Sequence, residues 1–144
     1  MVILEHGDIF KSDANIICHQ VNLHGIMRSG IAKTIREKFP NVYEEYRLYT
    51  PKAKLGDILI VNTNKSLLIA NLYGQRRCSL TRNVTSYKYI TKCLNKAKEY
   101  AKYNNLKIAV PYGMSCVGAG GNWDKMLRIL NQVFSDYDVY IYKL

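Results

Sequence analysis

The chain reads as an α/β domain in which one mixed sheet is covered by helices on both faces. Two patterns predict this. Short apolar segments alternate with longer ones in which apolar residues recur at intervals of three and four, the order expected of strands joined through helices. One short segment, Ile16-Ile17-Cys18, is apolar without alternation, as a strand buried on both faces requires.

In chain order, residues 2–5 and 15–21 read as strands, followed by a loop containing Gly25 and Gly30. From Ser29 onward Ile31, Ala32, Ile35 and Phe39 keep helical spacing, and Pro40 is expected to end that helix. A second short helix runs through Val42, Tyr43, Tyr46 and Tyr49. Residues 57–61 and 67–72 are predicted to form a hairpin turning at Asn62-Thr63-Asn64-Lys65. Tyr87, Ile90, Leu94, Ala97 and Ala101 mark a long amphipathic helix that Asn104-Asn105 terminates. Residues 108–111 make a buried strand ending at a proline. A glycine-rich stretch, 113–121, precedes a helix in which Trp123, Met126, Leu127, Leu130 and Phe134 share a face. Residues 139–142 close the sheet, with Tyr140 and Tyr142 on one side.

The length of 144 residues suits a single domain spanning 1–144, and 48% hydrophobic with 22% charged residues excludes disordered and fibrous classes. The N-terminus lacks the basic and apolar regions of a secretory signal, and no run approaches the ~18 apolar residues of a membrane span. A cytoplasmic protein without membrane contact is therefore expected. Cys18, Cys78, Cys93 and Cys116 show no metal-ligand spacing, so reduced thiols and no metal are expected, with Cys18 in the core. The sequon beginning at Asn83 carries no weight without a secretory signal.

The formal net charge of +10, from 21 Lys and Arg against 11 Asp and Glu, attracts anions without choosing among them. Lys88, Lys92, Lys96, Lys98 and Lys102 fall on one predicted helix and are expected to form its solvated face. Such dispersed cations do not favour a dedicated nucleic-acid site.

In open α/β sheets ligands bind outside the carboxyl ends of the strands, which directs attention to the loops at 22–30 and 112–121. Gly30 permits close backbone approach to a ligand, and the first N–H groups of the following helix suit an anion. The second loop repeats this arrangement with Gly113, Gly118, Gly120 and Gly121 ahead of a helix. Two such loops side by side would grip two linked phosphates.

Gly7-Asp8-Ile9-Phe10, His19-x-x-Asn22-x-x-Gly25 leading to Ser29-Gly30-Ile31-Ala32-Lys33, Phe39-Pro40, and Pro111-Tyr112 with Ala119-Gly120-Gly121-Asn122-Trp123 resemble the macrodomain family in order and spacing. The likeness spans essentially the whole chain. It is similar above all to small stand-alone bacterial and phage members, related to ADP-ribose 1''-phosphate phosphatases and terminal ADP-ribose glycohydrolases. The resemblance implies a three-layer fold, ADP-ribose or a derivative as ligand, no cofactor, and a monomer. It implies further that Asp8 accepts from the adenine amino group, Ile9 adds a backbone contact, and Asn22 orients the distal ribose. Gly25, Ser29, Gly30 and Ile31 would belong to the first phosphate loop. Ser115, Cys116, Val117, Gly118, Ala119 and Gly120 would form the second, with Tyr142 beside the adenine.

On residue chemistry alone, alternatives stay open. Asp8 equally suits an Asx-turn, and Asn22 a loop-closing hydrogen bond. Implied by the phosphatase likeness, His19 with Asn22 would act at the reacting end; the competing reading is a buried structural histidine. Cys116 has no base partner nearby in sequence. Glycohydrolases of this group use a lysine and an aspartate where this chain has Gln75 and Ala119, so that mechanism is not expected. The functional readings are a phosphatase-like hydrolase, a non-catalytic reader or sequestering module and, less favoured, a nucleic-acid binder that uses the basic charge.

Overall fold

The computed structural model describes residues 1–77, 85–116 and 121–144. Its elements are β1 (Val2–His6), β2 (Ile16–Asn22), α1 (Gly30–Lys38), α2 (Pro40–Tyr49), β3 (Ile58–Asn62), β4 (Leu68–Gln75), α3 (Tyr87–Tyr103), β5 (Ile108–Pro111), α4 (Trp123–Val133) and β6 (Val139–Lys143). Short 3-10 turns occupy Ile9–Lys11 and Thr50–Lys52. The six strands lie in the order β1-β6-β5-β2-β4-β3. Neighbours pair in parallel except β3, which runs antiparallel to β4 as the hairpin pattern predicts.

Alternation along the strands divides the core. Ile16, Cys18, Ile108 and Val110 face a layer that includes Leu94 and Ala97 of α3 and Met126 and Leu130 of α4. Ile17, Ile69 and Ala109 point the other way, toward Ile35 of α1 and Val42 of α2. Burial of β2 on both faces explains its unbroken apolar start. The result is a three-layer α/β structure.

Three details depart from the sequence expectation. Pro40 does more than end the first helix: it also opens α2, where its fixed φ suits the first turn and its missing N–H costs nothing. Strand β4 continues past Leu72 to Gln75, because Tyr73 and Gln75 pair with Val21 and Asn22 of β2 across a register shift. Lys98 is not on the solvated face. It is buried, its ammonium 2.9 Å from Asp136, and Lys102 meets the same carboxylate at 2.8 Å. The intervals that place Ala97 and Ala101 in the core turn position 98 toward the segment after α4.

No helix among the described residues is long and apolar enough to cross a membrane. Cys18, Cys93 and Cys116 are free thiols, Cys18 fully buried; Cys78 lies outside the described residues. The five parallel strands end at one edge of the sheet, so the segments following His6, Asn22, Gln75, Pro111 and Lys143 gather there.

Candidate functional site

The first loop at that edge is organised by Asn22, at the bulged end of β2. Its Oδ1 accepts from the His24 N–H at 3.0 Å and the Ile26 N–H at 3.3 Å, and its Nδ2 donates to the Ile26 carbonyl at 2.9 Å. The buried Tyr46 hydroxyl of α2 lies 2.7 Å from the Asn22 carbonyl and 2.9 Å from Oδ1. Burial pushes that phenol's pKa upward, so it remains a donor. Gly25 and Gly30 adopt left-handed φ values of +75° and +58°. Ser29 precedes α1 without a side-chain cap, leaving the first-turn N–H groups to the site.

The second loop rests on a polar network that sequence reasoning missed. Ser115 holds a left-handed φ of +68°, its hydroxyl donating to Gln20 Oε1 at 2.9 Å. Its carbonyl accepts from Thr85 Oγ1 at 2.9 Å and from the Gly121 N–H at 3.1 Å. Gln20 Nε2 donates to Gln75 Oε1 at 2.7 Å and to Thr85 Oγ1 at 3.0 Å, while Gln75 Nε2 donates to the Arg77 carbonyl at 2.8 Å. Two glycines make room for this. A Cβ on Gly74 would fall 2.4 Å from Gln20 Oε1, and one on Gly121 would fall 2.2 Å from the Ser115 carbonyl oxygen. The available signal was a glutamine inside an apolar strand. Cys116 is half-buried and its thiol pKa is raised by that burial, the opposite of an activated nucleophile. Val117, Gly118, Ala119 and Gly120 lie outside the described residues.

His19 sits in the wall beneath the site. Its ring is fully buried, with Nε2 2.7 Å from Asn71 Oδ1, and Asn71 Nδ2 donates in turn to the Leu59 carbonyl at 3.0 Å. That chain assigns the proton to Nε2 and leaves Nδ1 a bare acceptor, without a hydrogen-bond partner among the described residues. Burial, opposed only by the Asn71 contact, lowers the imidazole pKa to about 4. At neutral pH the ring is uncharged.

Two cavities open along the edge. The smaller, about 200 Å³, brings together His19, Asn22, Ser29, Gly30, Gln75 and Ser115. The larger, about 560 Å³, has Asp8, Ile9, Phe10 and Tyr142 in its walls. Ile31, Pro111 and Tyr112 border both, so the two cavities adjoin and together line a trench at this edge. Gly25 and Cys116 border neither. Asp8 performs the Asx role, its Oδ1 accepting from the Phe10 N–H at 2.9 Å, and still faces the larger cavity. Tyr140 lies away from the trench, under the Lys107 ammonium at 4.1 Å.

No protein-family model matches the chain. Among curated proteins it is similar to polyprotein P1234 of Eastern equine encephalitis virus, with 29% identity over 148 residues in strain PE-0.0155 and 25% over 143 residues in strain Florida 91-469. Each match covers 96% of this chain, which spans only 6% and 5% of those polyproteins. Among solved structures, the macrodomain of Mycobacterium tuberculosis DarG superposes with a TM-score of 0.86 at 22% identity, covering 100% of this chain and 98% of that one. The chain has a macrodomain fold. Thermosipho africanus DarTG in complex with ADP-ribose matches at a TM-score of 0.80 and 22% identity, over 97% of this chain and 41% of that one. The trench thus lies at the carboxyl edge of a macrodomain sheet, bordered by Asp8, Ile9 and Phe10 of the first motif, by His19, Asn22, Ser29, Gly30, Ile31 and Ala32 of the second, and by Pro111 and Tyr112; Phe39 and Pro40 line neither cavity.

Proposed function

We propose that the chain binds ADP-ribose or a close derivative along this trench. The observation that carries the reading is the junction of two chemically different cavities beneath two glycine-bearing loops. A carboxylate and an aromatic ring border one cavity; backbone N–H groups at a helix start and a neutral polar network border the other. Asp8 accepts from the adenine amino group, which suits an acceptor-only carboxylate, with Ile9 and Tyr142 beside the base. The pyrophosphate lies over Ser29, Gly30 and Ile31, opposite the loop that begins at Ser115. The distal ribose enters the smaller cavity near Asn22. The solved DarTG complex with ADP-ribose supports the choice of ligand. Calorimetric titration tests it: dissociation in the low micromolar range, on the order of −7 to −8 kcal/mol, is expected for such a preformed site.

On catalysis the geometry favours the non-catalytic reading. A general base must reach the proton it removes, whereas the His19 ring is fully buried, its Nε2 is engaged with Asn71, and burial holds its pKa at about 4, too low for an effective base at neutral pH. Both ends of the Gln75 amide are likewise committed within the wall, where a lysine mechanism would need a free amine. The phosphatase reading keeps a direct test. Phosphate release from ADP-ribose 1''-phosphate that falls about 100-fold in His19→Ala, with ADP-ribose affinity intact, would establish His19 as its base. Tight binding without release identifies a reader or sequestering module. We take the module to act as a cytoplasmic monomer without cofactor or metal.

A further inference from the structure

The larger cavity carries more positive charge than a neutral base calls for. Lys38, at the end of α1, and Lys143, at the end of β6, both line it. Each ammonium is held over an aromatic ring that lines the same cavity: Lys38 lies 5.6 Å from the Phe10 ring centre and Lys143 4.6 Å from that of Tyr112. These contacts restrain the long side chains without neutralising them. Neither lysine is ion-paired among the described residues. Asp8 is the acidic side chain in the wall, with one of its oxygens taken by the Phe10 N–H, and the α-carboxylate of Leu144, which also lines the cavity, is exposed to solvent and screened. A volume of about 560 Å³ also exceeds what a single base fills, since drug-sized ligands occupy sites of about 300–1,000 Å³.

We propose that this end of the trench takes a phosphate monoester carried on the adenosine ribose, at its 2'- or 3'-oxygen, so that the preferred ligand is an adenosine-phosphorylated derivative of ADP-ribose. The inference rests on the adenosine end of ADP-ribose lying in the larger cavity. Two ammonium groups without ion-pair partners, on separate elements of one cavity wall, suit a dianion, and the Asp8 carboxylate in the same wall disfavours a phosphate placed beside it. Because lysine binds phosphate as a point charge, the contribution is salt-sensitive.

The test is calorimetry on the full chain with ADP-ribose, ADP-ribose 2'-phosphate, AMP, adenosine 2',5'-bisphosphate and adenosine 3',5'-bisphosphate at two salt concentrations. A phosphate on the recognised oxygen is expected to tighten binding about tenfold at low salt, with a smaller gain at high salt, seen as ADP-ribose 2'-phosphate over ADP-ribose or as adenosine 3',5'-bisphosphate over AMP. Whichever bisphosphate exceeds AMP identifies the oxygen. Lys38→Gln and Lys143→Gln should each shrink the gain while changing ADP-ribose affinity less than about twofold; both side chains are exposed, and an unchanged melting temperature verifies the fold. If ADP-ribose binds and neither added phosphate helps, this inference is overturned and the ADP-ribose reading stands. If the bisphosphates bind tightly and ADP-ribose does not, the phosphate site stands and the dinucleotide reading falls. Failure of every ligand overturns both.

Discussion

Asp8 combines an Asx-turn cap with a place in the wall of the larger cavity. Its Oδ1 caps the turn after β1, and the carboxylate still borders the larger cavity. Asp8→Asn preserves a capping oxygen and removes the charge, so ADP-ribose affinity is expected to fall by about 1–3 kcal/mol with little change in melting temperature. Asp8→Ala should lose the cap as well, lowering both; unchanged affinity in the asparagine variant would remove Asp8 from the site. Tyr46→Phe deletes the hydroxyl that holds Asn22, and a cost of about 1–3 kcal/mol in urea unfolding is expected because it leaves buried acceptors short of a donor. The role of His19 was not legible locally. A histidine in an apolar strand suits a base or a buried structural group equally well, and its partner Asn71 is 52 residues away.

At the scale of elements, the start of the second glycine-bearing loop, at Ser115, depends on what lies behind it. Gln20 projects from β2 into the space that Gly74 of β4 leaves open and ties Ser115, Thr85 and Gln75 together. In Gly74→Ala the added Cβ would stand 2.4 Å from Gln20 Oε1 and 2.8 Å from Ile90 Cδ1. We expect a loss of about 1–3 kcal/mol in stability, together with weaker ADP-ribose binding as the loop shifts. Denaturant unfolding and calorimetry on the same variant check both halves; lost stability with intact affinity would separate the network from the site. The elements themselves were largely legible, since their apolar spacing is a local property of strands and helices. Where reading stopped short, as at Tyr73 to Gln75, the added residues belong to the strand through pairing with β2 rather than through their own pattern.

At the scale of the molecule, buried His19 couples stability to pH. Its folded pKa, about 4, lies below the ordinary 6.5, so the unfolded chain binds more protons between these values. Stability is therefore fully present above about pH 6.5 and declines as pH falls toward 4, by about 3 kcal/mol at most. Asp136, held low by hydrogen bonds from Lys102 and Lys98, and Asp13, held low by Lys107, titrate below that window. His19→Gln keeps a donor for Asn71 and cannot titrate, so its unfolding free energy should be flatter from pH 6.5 to 4.5; an identical slope in both proteins would assign the effect elsewhere. Net charge makes a second whole-molecule prediction. ADP-ribose, gripped largely by backbone dipoles, should lose little affinity between low and moderate salt, while polynucleotide binding through dispersed lysines should fall steeply. Tighter binding of RNA or DNA than of ADP-ribose at about 0.15 M salt would reverse that priority.

By itself the sequence determined the order of strands and helices, the buried character of β2, and the two loops on which a ligand site should form. Apolar periodicity and glycine placement act over a few residues and survive in a linear reading. Tertiary structure alone decided that Lys98 turns inward to Asp136, that Gln20 braces Ser115 through the gap at Gly74, and that His19 faces Asn71 inside the wall. Each depends on pairing between residues far apart in the chain, where burial strengthens hydrogen bonds and makes unpaired polar groups costly. Which partner stands opposite a polar side chain is set by strand order and register, and no local spacing encodes it.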